Sequence, residues 1–509
     1  MADPMTEIDE LLRSLGFSAG DNAVHTTDKS SEQRPAGDHS SEQGTLLAER
    51  HSSSGMDPLA AFPQDITRQP IIKSKLETPR EEIAKRTNGR FVPIASDSLE
   101  EAGLHFTELS DLLMKSLALR GIESGYNIAR AVGMKFPVVE GVLRQLKTDR
   151  LVSYRNSATG GDYLYELTDQ GRERARILSE QNSYLGTAPV PLTQYVESVQ
   201  AQSIEGRKPP LASIRAAFGD LQVEDRLVSN LGRAIHSGRG MFLYGPAGNG
   251  KTSLAERITK SFGDTIWIPR AITAAGEIIR LFDPNRHKLA ATSPVDQEVV
   301  DGRWVQIERP TIIAGGELRM ENLEVTYIRR TGVGEAPLQM KANCGTLLID
   351  DFGRQRMSID ELLNRWIVPL EERFDYLHLE SGRSIQVPFD ELIIFSTNLQ
   401  PKDLVDEAFL RRIPYKIEVQ NPTESEFRSL FRTVADQGGF ECSVEMIEYT
   451  IDVHYRRAGR TFRFCHPRDL LRQIENSCSL HERAKIVTQA EIDEAVANYF
   501  AIMCDDHSA

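Results

Sequence analysis

Cysteine is scarce in this chain. There are five in 509 residues (Cys344, Cys442, Cys465, Cys478 and Cys504), with no CxxC pair and no metal-ligand spacing. An odd, scattered set excludes a disulfide framework and points to a reducing compartment. Positive charge is also short: 60 Lys+Arg stand against 74 Asp+Glu, a net charge of −14. A global basic field for wrapping nucleic acid is thereby excluded, and any such contact needs a local basic patch. No apolar run reaches the roughly 18 residues of a membrane span. The opening MADPMTEIDELLRSLGF has neither the basic n-region nor the apolar h-region of a secretory signal. What remains is 40% apolar and 26% charged, long enough for two to four domains at roughly 100–200 residues each. The expectation is a cytoplasmic, multidomain, soluble protein.

Composition changes along the chain. Residues 1–60 hold eleven acidic against four basic residues, and such a stretch cannot bury enough apolar surface to order itself. Within it, Glu7–Phe17 places Ile8, Leu11, Leu12 and Leu15 on one face of a short helix, read either as a frayed tail or as a docking peptide. A mostly disordered tail and linker is therefore expected over 1–103. From 104 to 178 the pattern predicts helices at Glu108–Leu119, Tyr126–Val132 and Pro137–Asp149. Strands follow at Leu151–Arg155 and Tyr163–Leu167, then a helix whose start is capped by Thr168. Residues 179–212 read as a second polar linker, 213–421 as alternating strands and helices, and 422–509 as an all-helical tail.

The chemistry concentrates in the alternating region. An apolar strand, Met241–Tyr244, runs into Gly245-Pro246-Ala247-Gly248-Asn249-Gly250-Lys251-Thr252-Ser253, with a helix after it. This is GxxxxGK[ST] in strand–loop–helix context, a phosphate-binding loop. Glycines let backbone N–H groups curl around a phosphate, and the helix N-terminus adds partial positive charge. Lys251 is suited to the β- and γ-phosphates of ATP, and the Thr252 hydroxyl to Mg²⁺. The buried run Thr346–Ile349 ends in Asp350 and Asp351. Asp350 is placed to hold the Mg²⁺ ion through its water, and Asp351 to polarise an attacking water. A third buried strand, ELIIFSTN, ends at Asn398, which can hydrogen-bond water and γ-phosphate. Arg411 and Arg412 close a short helix, and His466-Pro467-Arg468-Asp469 opens another inside the helical tail.

Together and in this order, these motifs resemble an AAA+ ATPase over residues 213–500. The resemblance implies a P-loop NTPase α/β core, a parallel sheet between helices, with a C-terminal helical lid. It makes Gly245–Thr252 the Walker A loop, Thr346–Asp351 Walker B and Asn398 sensor 1. Arg412 or Arg411 becomes an arginine finger, one of them being a candidate structural ion-pair partner for an acid such as Glu407. Arg468 becomes sensor 2. A hexameric ring is what the resemblance implies, and an unknown protein substrate is the expected partner. Most of the family carries Glu where Asp351 stands, but replication-initiator and helicase-loader relatives carry Asp-Asp there; the site reads as active, and whether Asp lowers the rate stays open at this point.

Two finer resemblances follow. VLRQLKTDRLVSYR…YLYELTDQGRE looks like the recognition helix, wing and closing helix of a winged helix of the multiple-antibiotic-resistance-regulator type, giving a small α+β domain ahead of the core. Its net charge, from eleven basic and nine acidic residues over 104–178, is weak for DNA. Lys135, Arg144, Gln145, Lys147, Arg155 and Asn156 are left outward as candidate readers. Second, the Walker motifs are far apart, and the insert holds strand-like Glu277–Phe282, Thr311–Ala314 and Leu323–Ile328. The hairpin at Tyr376–Glu380 and Ser384–Val387 is similar to the pre-sensor-1 hairpin of the MoxR, magnesium-chelatase and enhancer-binding-activator branch, which reaches the ring pore. The other reading of it is a surface hairpin shielding an edge strand. Three function classes stand: a ring-forming, chaperone-like remodelling ATPase, a DNA-associated AAA+ ATPase using the winged helix, and a nucleotide-gated binding module with little turnover.

Overall fold

Residues 90–501, apart from 220, 222, 292–298, 328–330 and 406, are described by a computed structural model. The acidic tail with its Glu7–Phe17 segment, Ile328 and Cys504 lie outside the described residues. The first elements are α1 (Leu99–Ala102), α2 (Phe106–Arg120), β1 (Glu123–Ser124), α3 (Gly125–Val132), α4 (Phe136–Thr148), β2 (Val152–Ser157), β3 (Tyr163–Leu167) and α5 (Asp169–Gln181). The three strands form one antiparallel sheet in the order β1-β3-β2. Local chemistry sets the helix starts. Ser124 Oγ accepts from Asn127 N at 3.2 Å and Thr168 Oγ1 from Gly171 N at 3.0 Å, each satisfying an otherwise orphaned N–H. α4 buries Val138, Val139, Val142, Leu143 and Leu146, the helical spacing of one apolar stripe.

This α+β unit is not tethered by linkers. Its apolar core includes Ala271 and Val333 from much later in the chain. Gly133 ends α3 at φ 72°, and a Cβ there would stand 2.6 Å from the Gly302 carbonyl carbon, so only glycine permits this approach. Buried Arg303 pairs with Asp301 at 2.7 Å and donates to Ala102 O at 2.9 Å. The expected linkers are therefore corrected. Ahead of α1, Phe91 packs on Trp304 and Ala95 N donates to Val299 O. Within 179–212, β4 (Val190–Pro191) leads into α6 (Leu192–Gln202), which buries Tyr195, Ser198, Val199 and Gln202. These stand at i, i+3, i+4 and i+7, a helix face that polar composition concealed because half of its members are polar.

After α7 (Leu211–Ala217) and α8 (Asp225–Ser237), the core begins with β5 (Met241–Tyr244) and α9 (Lys251–Lys260). Then come β6 (Thr265–Pro269), β7 (Ala271–Ala274), β8 (Glu277–Arg280), β9 (Trp304–Glu308), β10 (Thr311–Ala314), β11 (Thr326–Tyr327) and β12 (Val333–Glu335). The run continues through α10 (Leu338–Ala342), β13 (Thr346–Ile349), α11 (Ile359–Glu372), β14 (Phe374–His378), β15 (Ser384–Pro388) and β16 (Leu392–Thr397). It closes with α12 (Pro401–Leu404), α13 (Glu407–Arg412) and β17 (Tyr415–Glu418). The main sheet is all parallel, in the order β10-β13-β16-β5-β17. All residues of β13 and β16 are buried, as a sheet covered on both faces requires. Thr311–Ala314, expected inside the insert, is instead the edge strand of this sheet, with Thr311 opposite Thr346. A short apolar run reads alike in either place.

The true insert supplies four strands of a second sheet, β11-β12-β8-β7-β4, whose edge strand β4 comes from ahead of the core, beside the ribbon β6–β9. The hairpin β14–β15 closes over it, with Leu377, Leu379, Ile385 and Val387 sharing a core with Tyr195, Val199, Ile272 and Ile279. Its tip is held by the Glu277 carboxylate, which accepts from Glu380 N at 3.2 Å, from Ser381 N at 3.0 Å and from the Tyr327 hydroxyl. The hairpin covers the insert sheet; within the chain its apolar face is already spent.

The C-terminal helices are α14 (Glu424–Gln437), α15 (Val444–Tyr449), which runs on into a π-helical turn at Thr450–Arg456, α16 (His466–Leu480) and α17 (Gln489–Phe500). They bury Phe427, Phe431, Ile451, Tyr455, Leu470 and Ile474 in a separate core. Among the described residues no helix is long and apolar enough to cross a membrane.

Candidate nucleotide-binding site

Parallel strands bring their C-terminal ends to one edge, and β5 opens there into the phosphate-binding loop. Gly248 and Gly250 take φ 82° and 76°, a backbone region costly to other residues. Gly245 N donates to Thr397 O at 3.2 Å, fastening the loop to β16. Lys251 begins α9 and turns its ammonium back onto Gly245 O at 3.0 Å and Pro246 O at 3.1 Å. Burial pushes this ammonium below its usual range, Asp350 and Asp351 oppose the shift, and Arg463 adds to it. Thr252 Oγ1 donates to Asp350 Oδ2 at 2.6 Å. Ser253 follows in the first turn of α9.

The acids and the amide arrive by register. Ile349 lies opposite Phe395, and Thr397 opposite Tyr244. Asp350, Asn398 and Gly245 are therefore the first residues past three neighbouring strands. Asp350 Oδ1 accepts from Asp351 N at 3.0 Å. Asp351 is exposed at φ 48°, a conformation Asp tolerates better than most residues. Asn398 is exposed, and its side chain has no hydrogen-bond partner among the described residues.

The helical domain closes on the loop through residues 463–465. Arg463 Nη1 donates to Ala247 O at 2.6 Å, Phe464 N to Asn249 Oδ1 at 3.4 Å and Cys465 N to Gly248 O at 3.0 Å. A Cβ on Gly248 would lie 2.5 Å from Cys465 Sγ. Asn249 is buried and donates to Gln420 O at 3.2 Å and Asn421 Oδ1 at 2.8 Å. Its side chain thus ties loop to lid, leaving its backbone for a ligand. Arg468 is elsewhere. It lies in the first turn of α16, 72% exposed and paired with Asp469 at 3.1 Å. Arg463, five residues earlier, is the lid arginine that touches the loop.

The core has the AAA+ P-loop NTPase fold. The strand order, the loop between β5 and α9, the acids after β13 and the helical domain behind them carry that statement. A family model described as a domain of unknown function (DUF8689) matches residues 423–498, the helical domain. No curated protein matches the chain. Among solved structures, the chain is similar to NtrX from Brucella abortus at 14% identity and TM-score 0.36, covering 55% of this chain and 56% of that one. The same protein in complex with ATP matches at 15% identity and TM-score 0.34, covering 58% and 66%. The RuvB Holliday junction branch migration motor of Thermotoga maritima matches at 14% identity and TM-score 0.32, covering 56% and 73%.

Arg411 and Arg412 lie at the opposite edge of the sheet, where β17 begins. Arg412 Nε donates to Glu371 at 2.7 Å. Arg411 is 78% exposed and pairs only loosely on the surface with Glu407 at 3.1 Å. Of the two, Arg411 is the more exposed, and Arg412 braces α13 against α11. Sequence reasoning missed Arg463 and the Gln420–Asn421 turn. Arg463 had one local signal, a cation just ahead of a helix start; the turn had none.

Proposed function

We propose that this chain binds ATP with Mg²⁺, hydrolyses it, and works as a ring-forming remodeller of a protein or protein complex. The observation that carries the reading is the convergence of Lys251, the Thr252–Asp350 pair, Asp351 and Asn398 on one sheet edge. The residues fit the ligands. Lys251 and Arg463 both rest on loop carbonyls, weaker acceptors than phosphate oxygens. Thr252 and Asp350 present adjacent oxygens of the kind Mg²⁺ prefers. Bound Mg²⁺ would neutralise charge on the phosphates. Asp351, without a side-chain partner among the described residues, orients the attacking water and takes its proton, and Asn398 fixes that water from the next strand. Arg411 supplies charge to a neighbouring copy's site.

The α+β unit, read as a winged helix, serves protein docking in this scheme. Of its six candidate DNA readers, all but the exposed Asn156 are engaged: Arg144 with Glu140, Gln145 with Asp149, Lys135 with Asp97 and Arg155 with Glu166. Lys147 lies over the Tyr154 ring. The deciding experiment is nucleotide binding and ATPase turnover of the full chain against Lys251→Ala. The variant should fold as the parent does and lose nucleotide affinity; unchanged affinity would remove the site assignment. Salt-dependent DNA binding by the full chain would reassign the α+β unit.

A further inference from the structure

A cavity of about 540 Å³ opens at the N-terminal edge of the parallel sheet, away from the phosphate loop. Arg239, Arg373, Arg411 and Arg412 line it, with Glu371 and Glu391. Three of these guanidiniums have partners in the chain. Arg412 is held by Glu371 and Arg411 by Glu407, while Arg373 donates to Glu391 O at 3.3 Å and stands 3.9 Å from Asp390. Arg239 differs. It is exposed, and its side chain has no partner among the described residues. It sits between Gly238, which caps α8 at φ 63°, and Gly240, which enters β5.

Register explains why this position matters. Met241 pairs with Tyr415, so Arg239 and Arg411 stand just ahead of adjacent parallel strands. Each strand is four residues long, about 13 Å. At its far end β5 becomes the phosphate loop, and β17 leads to the Gln420–Asn421 turn that grips Asn249. Three of the guanidiniums are paired and Glu205 also lines the cavity, so Arg239 is the cation that an incoming anion would compensate.

We propose that Arg239 is a second trans-acting cation, reaching with Arg411 the phosphates of a nucleotide held by a neighbouring copy of this chain. The inference rests on the ring and trans-arginine reading above. Charge that develops on the phosphoryl oxygens during transfer then meets two guanidiniums instead of one. The strand behind each cation links the neighbour's phosphates to the chain's own loop.

The test uses the full chain as Arg239→Ala, Arg239→Lys and Arg411→Ala, with nucleotide affinity, kcat, KM and sedimentation measured for each. Arg239→Ala should keep nucleotide affinity and assembly while kcat falls about tenfold or more. Arg239→Lys should recover part of the loss. Doping with Lys251→Ala subunits, whose arginines are intact, should also restore turnover. If Arg411→Ala loses kcat and Arg239→Ala does not, this inference falls and the trans-arginine reading stands. If neither loses kcat, both fall. If Arg239→Ala fails to assemble, or Arg239→Lys behaves like alanine without recovery by doping, Arg239 is a structural contact and the inference is overturned.

Discussion

Asp351 illustrates how one methylene is handled at the residue scale. Its backbone is left-handed and its side chain exposed beside Asp350, so the carboxylate is free to meet a water. Asp351→Asn should keep ATP affinity and lose most turnover, while Asp350→Ala should weaken Mg²⁺-dependent binding too; single-turnover and equilibrium binding measurements separate the two. Glu391 poses a different problem. It is fully buried, and neither carboxyl oxygen has a hydrogen-bond partner among the described residues. Burial pushes its carboxyl well above the usual range, opposed by Arg373 and reinforced by Asp390 and Asp375. A raised folded-state value means the proton is bound more tightly in the folded chain. That contribution to stability is complete below the unfolded value of about 4.3 and is lost as pH rises through the folded value. Glu391→Gln should therefore match the parent in thermal unfolding near pH 4 and be more stable at pH 8, by about 1–3 kcal/mol. Equal stability differences at both pH values would mean the carboxyl is solvated.

At the scale of elements, α6 shows what composition conceals. Its Tyr195 is buried, accepts from Asn343 Nδ2 at 2.8 Å and donates to Met340 O at 3.3 Å. Tyr195→Ala should destabilise the chain by about 3–5 kcal/mol, read by denaturant unfolding. A linker residue would change stability by less than about 0.5 kcal/mol. The hairpin β14–β15 makes the complementary point. Its alternating Leu377, Leu379, Ile385 and Val387 were legible as a strand pair, but the surface they cover was not. That surface is assembled from Tyr195, Val199, Ile272 and Ile279, contributed by segments far upstream in the chain.

For the whole molecule, the two edges of one sheet divide the work. Groups suited to a nucleotide gather at the C-terminal ends of the strands and arginines at the N-terminal ends; under the proposed trans-arginine reading, a complete site takes two copies. Arg411→Ala should bind ATP normally and hydrolyse it poorly. Mixing it with Lys251→Ala should recover activity, because each Arg411→Ala site can then receive an intact arginine. A turnover per chain that stays constant on dilution to monomers would exclude a shared site.

The phosphate loop, the two acids and Asn398 were legible because each depends on a short local pattern: a buried strand followed by the residues that phosphate chemistry demands. The order of these patterns was enough to indicate the core. Register across the parallel sheet then decided which of them meet, placing Asn398 next to Gly245 and Asp350 against Thr252. Tertiary packing alone chose Arg463 over Arg468 at the loop, gave Asn249 a fastening role and put Arg239 in the arginine cavity. Each of those facts depends on two segments distant in the chain meeting at one point. A residue's type and its near neighbours carry no record of such a meeting.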